Sequence, residues 1–470
     1  MWESHCCRML KGVFNVSNIL IHNAQVVTVN ASRQVLDAGD ILIDGNAIAA
    51  VRPSDAGGDG GADAAYSQVD QVIDATGLVA VPGFVQSHVH LCQVLFRGRS
   101  DDMELLDWLR RRTWPLEAAH DRDSVYCSAM LGICEMLRAG VTSIIDMQTV
   151  RYASAGFRAI ADAGIRAVTG KVMMDLGDGV PPELMESTER SIRSSLRLAD
   201  MWDGAAGGRI RYAFTPRFAV SCSDALLRKV GEIARERGAM IHTHCAENRD
   251  EVKIVIAERG ARNAVYLEEV GLLGPTTVLA HCVHLDKAEM GLLASTGTHV
   301  AHCPSANLKL ASGVADVPRM ISRGINVGLG SDGAGCNNNL DPFVEMRLAA
   351  LIQKPKHGPT SMPAATVLEM ATMGGARAMG QDHLIGSIEE GKFADIVLLD
   401  LNKPHASPGR GVDPASRIVY SAKSSDVVMT MVNGEVLYDR GRVTRIDEQQ
   451  VLTEGDKAIQ RIARRAGVMA

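Results

Sequence analysis

Through the middle of the chain, short apolar runs alternate with longer stretches of helical period, and that alternation predicts the fold. Eight runs read as buried strands: Val79 to Val81 leading into His88, Val141 to Asp146, Ile165 to Met174, Ile210 to Thr215, Met240 to His244, Thr277 to His281, Thr298 to His302 and Ile325 to Gly330. Between them Tyr126, Met130, Ile133, Cys134 and Leu137 recur at the spacing of one helix face closed by Gly140. Leu226, Val230, Ile233 and Ala234 repeat the pattern, with Ser223 as N-cap and Gly238 as stop. Strands alternating with helices require parallel pairing through right-handed crossovers, and eight such units close an α/β (β/α)8 TIM barrel.

The two ends of the chain carry a different pattern. Ile19 to Ile21, Val26-Val27 and Ile41 to Ile43 are separated by turn residues such as Asp44-Gly45, and Ala394 to Asp400 and Val427 to Tyr438, with Asn433-Gly434, look the same. Ser54 to Asp70 is rich in Gly, Ala and Asp and reads as a loop. The expected organisation is a small β-sandwich built from residues 1–80 and 385–470, the latter ending in a helix, beside a barrel over residues 81–384.

Composition narrows the function classes. A chain of 470 residues with 46% hydrophobic content can bury a large core, and a net charge of −6 lacks the basic field that a phosphate backbone rewards, so nucleic acid is not an expected partner. The ten cysteines include no C-x-x-C pair, which suggests neither a disulfide framework nor a structural zinc knuckle and points to a reducing cytoplasm. No apolar run approaches the roughly 20 residues of a membrane span. Met1 to Asn15 reads as a frayed extension.

Candidate chemistry gathers at the C-terminal ends of the predicted strands, where a parallel barrel keeps its active site. His88-Val-His90, His244-Cys-Ala-Glu247, His281 and Ser331-Asp332-Gly333 each stand there. Residues two apart on a strand point the same way, so His88 and His90 can offer two imidazoles to one ion, with His244 adding a third nitrogen and Asp332 an oxygen. Such a set suits Zn²⁺ and would also accept Fe²⁺. His242 shares the strand face of His244 and is expected behind the ligands, and His302 could line the pocket. His120, His284, His299 and His357 read as ordinary polar residues, and Cys92, Cys245, Cys282 and Cys303 as small buried hydrophobes.

The run Val81-Pro-Gly-Phe-Val-Gln-Ser-His-Val-His90, with His244, Glu247, Ala280-His281-Cys282 and Gly330-Ser-Asp332, resembles the amidohydrolase superfamily, in particular its mononuclear-metal deaminase and chlorohydrolase branch, from Asn18 to about Val443. The resemblance implies the split β-sandwich, one metal, and a homodimer or tetramer. It also implies roles: His88, His90, His244 and Asp332 as ligands, Glu247 as the proton shuttle of a metal-hydroxide attack, His281 as the group that orients the nucleophile and stabilises the oxyanion, and Asp332 as the proton carrier to the leaving amine. Relatives with two metals bridge them by a carboxylated lysine on strand four. Arg209 to Pro216 has no lysine, and Lys171, one strand earlier, reads as a partner for a carboxylate or for substrate.

For substrate, Asp332 to Leu340, Asn307 to Leu310 and Trp108 to Glu117 look like the deaminases of 5'-deoxyadenosine, 5'-methylthioadenosine and S-adenosylhomocysteine. That likeness makes Glu117 the partner of the ribose hydroxyls, with Trp108, Gln93 and His244 also facing a small heterocyclic substrate. Thr215-Pro-Arg217-Phe218 instead resembles guanine deaminase, in which the arginine meets the purine carbonyl. A guanine, 8-oxoguanine, pterin or s-triazine aminohydrolase or chlorohydrolase therefore stays open here, as does a non-catalytic binding or assembly protein of the same fold.

Overall fold

A computed structural model describes residues 18–54 and 69–468, so the expected N-terminal extension and most of the glycine-rich loop lie outside the described residues. Eight parallel strands form the barrel: Phe84–Val89, Val141–Met147, Arg166–Gly170, Ile210–Pro216, Met240–Cys245, Thr277–His281, His299–His302 and Val327–Leu329. The eighth meets the first through a parallel bridge between Val89 and Asp332, where the Asp332 amide donates to the His88 carbonyl at 3.0 Å. These strands are buried almost throughout because both faces are covered, one by the barrel interior and one by helices. The predicted helices are present as Arg122–Arg138 and Asp224–Arg237, the second with Ser223 accepting from the Leu226 amide and left-handed Gly238 closing it.

One strand assignment needs correction. Val79–Pro82 does not open the barrel; it pairs antiparallel with Ile396–Leu399 and parallel with Gln25 and Val26 in the other sheet. The apolar run from Val79 to Val85 is continuous, so hydrophobicity alone cannot divide it. The division falls at Pro82-Gly83, where a Cβ on Gly83 would lie 2.1 Å from the Thr142 hydroxyl. The third run is also divided, into Arg166–Gly170 and Val172–Met173.

The terminal segments form one nine-stranded sheet, antiparallel except where Asn18–Val27 meets Gln71–Asp74 and Val79–Pro82. Ile41, Ile43 and Ile48 from one end share a single core with Met429 and Met431 from the other. A buried ion pair fastens this sheet beneath the barrel: Arg166 donates to Asp395 at 2.9 and 3.1 Å, and Asp395 also accepts the Asn433 amide. The C-terminal helix Glu448–Ala466 leaves the sheet and packs Ala458, Ile459 and Ile462 on Leu95, Phe96 and Leu116, under the segment that walls the pocket. Among the described residues, no helix is long and apolar enough to cross a membrane.

Candidate metal centre and active site

Each strand end delivers its side chain to one small volume because the strands are held in register just below it. His88 and His90 come from the first strand, His244 from the fifth, His281 from the sixth, and Asp332 from the turn after the eighth. His281 and Asp332 have left-handed backbone, φ +74° and +60°, as does Ala246 at +50°. Non-glycine residues adopt this conformation at a cost, and such strain gathers where a side chain has to be aimed.

The outer ring nitrogens fix the tautomers. His90 Nδ1 donates to the Met147 carbonyl at 2.8 Å and His244 Nδ1 to the Arg217 carbonyl at 2.6 Å. His242 donates Nδ1–H to the Val278 carbonyl, which leaves its Nε2 to accept from His88 Nδ1 at 2.7 Å. His281 Nδ1 donates to Asn307 Oδ1 at 2.9 Å. All four imidazoles therefore turn a bare Nε2 inward. His90 Nε2 lies 3.2 Å from His244 Nε2, and Asp332 Oδ1 lies 3.2 and 3.4 Å from Nε2 of His88 and His90. Acceptors facing acceptors at such distances repel unless a cation stands among them.

The same residues pass a fit test for a metal ion. His88 Nε2, His281 Nε2 and Glu247 Oε1 are buried without a hydrogen-bond partner and face one small volume, where a cation would satisfy them together. The ligand atoms of His88, His244 and His281, and of His88, His90 and Asp332, fall within 4.8 Å of one another. Burial drives His88 down to about 4 and takes His244 and His281 below the usual imidazole range. Neutral imidazole is the form that binds metal, and the outer carbonyl partners are the contacts that orient such ligands.

Glu247 stands across from His281, with Oε2 3.5 Å from Nε2. Burial, then the negative charges of Asp332 and Glu251, push its carboxyl well above the usual range; a neighbouring cation acts in the opposite sense. Glu251 accepts the amides of Ala246, Glu247 and Asn248 and so fixes the turn that carries Glu247. Asp332 Oδ1 accepts the Gly333 amide at 2.7 Å.

The cavity above this cluster has an empty volume of about 380 Å³, mouth included. Its far wall is apolar, from Leu105, Trp108, Leu109, Phe218 and Leu310, and Gln93 and Arg217 supply the polar side wall. Glu117 is placed one layer back. Arg217 holds it with two hydrogen bonds, 2.8 and 3.3 Å, and Gln93 Nε2 donates to it at 2.8 Å. Burial opposes ionisation of Glu117, but Arg217 outweighs it and holds the carboxyl below its usual range.

Three comparisons place this geometry among known proteins. The model of the amidohydrolase family matches residues 79–437. The 5'-deoxyadenosine deaminase of Methanothermobacter thermautotrophicus is 42% identical over 431 residues, 90% of this chain and 96% of that protein. The 5-methylthioadenosine/S-adenosylhomocysteine deaminase of Pelotomaculum thermopropionicum is 37% identical, over 96% of this chain and 100% of that protein. The chain belongs to the amidohydrolase family. A solved adenosine deaminase from Xanthomonas campestris with bound zinc superposes on this amidohydrolase with a TM-score of 0.88 at 30% identity, covering 95% of this chain and 99% of that one.

Of the residues singled out in the sequence, the fold of this amidohydrolase brings His88, His90, His244, His281, Glu247 and Asp332 around one point, and Gln93, Trp108 and Arg217 into the pocket wall. Glu117 stands behind that wall rather than in it. Lys171 is absorbed by Glu186 at 2.5 Å, and His302 is buried away from the pocket lining. Sequence reasoning missed Asn307 as the partner of His281 and the carbonyls of Met147, Arg217 and Val278. Main-chain groups leave no side-chain signal.

Proposed function

We propose that this amidohydrolase is a hydrolytic deaminase of adenosine-type nucleosides, such as 5'-deoxyadenosine, 5'-methylthioadenosine or S-adenosylhomocysteine, working with one divalent cation. Zinc is the proposed ion, held by His88, His90, His244 and Asp332, because three imidazoles and one carboxylate suit its coordination. The observation that carries the reading is the set of inward-turned Nε2 atoms facing Asp332, with the Glu247 carboxyl beside them, 3.5 Å from His281 Nε2. The substrate class rests on the two deaminases aligned over nine tenths or more of the chain.

A divalent cation at this position lowers the pKa of water from 15.7 to about 7, which makes a nucleophile available at neutral pH. Glu247 would take the first proton of that water and pass it to the ring nitrogen beside the amino-bearing carbon, which becomes electrophilic. His281, fixed by Asn307, accepts from the attacking water through Nε2 and so aligns it; in this tautomer it orients rather than donates. Asp332 takes the second proton of that water and returns it to the departing amine, and ammonia leaves. Arg217, engaged on both oxygens of Glu117, is poorly placed to serve a purine carbonyl, which favours a nucleoside over free guanine. The ribose contact is proposed for Gln93 and Arg217, which line the pocket, with Glu117 behind them setting their orientation. A reducing cytoplasm and a homo-oligomer complete the proposal; the former is supported by eight buried thiols among the described residues.

The test is ammonia release by the purified protein, with its metal content measured, across 5'-deoxyadenosine, 5'-methylthioadenosine, S-adenosylhomocysteine, adenosine, guanine, 8-oxoguanine and melamine. Turnover of at least one adenosine derivative with about one zinc per chain is expected. Preferential turnover of a free base would move the assignment to that class, and a metal-free protein inert on every compound would overturn it.

A further inference from the structure

Behind the site, one buried carboxylate joins two of its loops. Glu345, on the helix Pro342–Ile352, is fully buried. Its Oε2 accepts the Ser305 amide at 3.1 Å and its Oε1 accepts Asn337 Nδ2 at 2.8 Å. The same Asn337 nitrogen donates to the Ser331 carbonyl at 2.7 Å, one residue before Asp332. Ser305 belongs to the short helix Pro304–Lys309, whose Asn307 is the group that holds His281 Nδ1. The Asn307 carbonyl in turn accepts the Ser312 and Gly313 amides, which fixes the following loop.

We propose that Glu345 is a positioning residue for the reaction, a single tie that sets the orientation of His281 through Ser305 and Asn307 and the placement of Asp332 through Asn337 and Ser331. The inference rests on the deaminase reading given above. Two features mark this carboxylate as more than packing. Among the described residues no cation hydrogen-bonds to it, and burial pushes it up to about 7, so an apolar side chain of similar size would suit a purely structural position better. Both of its oxygens also point along chains that end on groups meeting the nucleophile, where misplacement by about 1 Å can cost on the order of 10²-fold in rate.

Glu345→Gln keeps the shape but sets an amide NH₂ against either the Ser305 amide or the Asn337 amide, so one of the two links breaks. With 5'-deoxyadenosine or whichever nucleoside the wild type turns over, kcat is expected to fall about 10- to 100-fold. KM should stay within about 2-fold, with unchanged zinc content and folded fraction. Asn337→Ala, which leaves the carboxylate in place, is the second variant should Glu345→Gln not fold, and it should show the same split. In ¹⁵N-histidine-labelled protein, the His281 Nδ1–H resonance should shift or broaden in Glu345→Gln while that of His90 stays. An unchanged kcat, or a fall that only follows lost zinc or lost folded protein, overturns the proposal. So does an unchanged His281 resonance, whether or not the wild type deaminates; a wild type inert on all nucleosides overturns the deaminase reading instead.

Discussion

Two buried arginine–carboxylate pairs stand at opposite ends of the barrel, Arg166 with Asp395 beneath the strands and Arg217 with Glu117 above them. Their chemistry is the same, and both are bidentate and nearly inaccessible to solvent. Their surroundings differ. Below, Asp395 is completed by Asn433, and the pair fastens the terminal sheet to the third strand. Above, Arg217 also lends its carbonyl to His244, Glu117 is shared with Gln93, and the neighbouring imidazoles and Glu247 keep buried polar atoms without partners. A closed network stabilises a fold; one left open on its inner side is ready for an ion and a substrate. This is the division of labour expected between the two faces of such a barrel.

The comparison can be broken most severely at the upper end. His244→Ala should lose the bound metal and reduce turnover by on the order of 10⁴-fold, measured by metal analysis and ammonia release. Retained metal and activity would remove His244 from the ligand set. Glu247→Gln should keep the metal while lowering kcat about 10²- to 10⁴-fold and flattening the pH profile on its acid-dependent limb.

The paired arginines sharpen it further. Arg166→Met and Arg217→Met each leave a buried carboxylate without its cation and should each cost about 3–5 kcal/mol of stability in denaturant unfolding. Only Arg217→Met should also depress kcat/KM of the folded protein. Equal activity loss in both would erase the distinction between the ends.

The smallest effect concerns pH. Burial pushes Glu251 and Glu345 up to about 7 and Asp146, near the end of the second strand, up to about 6. The native state keeps these protons to higher pH than the unfolded chain, which releases them near its ordinary carboxylate range. The unfolded state thus binds fewer protons in between, and stability should fall as pH rises from about 4.5 to about 7 and level off beyond. Glu345→Gln should remove on the order of 3 kcal/mol from that fall, while Arg166→Met should leave its slope intact. An unaltered slope in Glu345→Gln would show that its carboxyl titrates as an exposed one does.

Much of the fold was legible because buried parallel strands are written as short apolar runs and their helices as 3.6-residue periods, so seven of the eight barrel strands fell where the runs lie. The first did not, since the apolar run from Val79 to Val85 is shared by two sheets and only Pro82-Gly83 divides it. At the site, His88, His90, His244, Glu247, His281 and Asp332 were legible from their place at strand ends. The location of Glu117 was not. A carboxylate that will be covered by Arg217 and Gln93 looks in sequence like one that will face a ligand, because the partners lie 100 and 24 residues away. Asn307 and Glu345 escaped for a related reason: each acts on another residue and carries no chemistry of its own.

The closure of the barrel gives the metal centre a second meaning. The first and last strands are joined at Val89 and Asp332, and the residues on either side of that seam, His88, His90 and Asp332, are three of the four proposed ligands. An ion bound there works as the clasp of a hoop. Chelation should open the hoop before it loosens any other strand pair, so the amides of Phe84–Val89 and Val327–Leu329 should be the first in the barrel to exchange with deuterium when the metal is withdrawn.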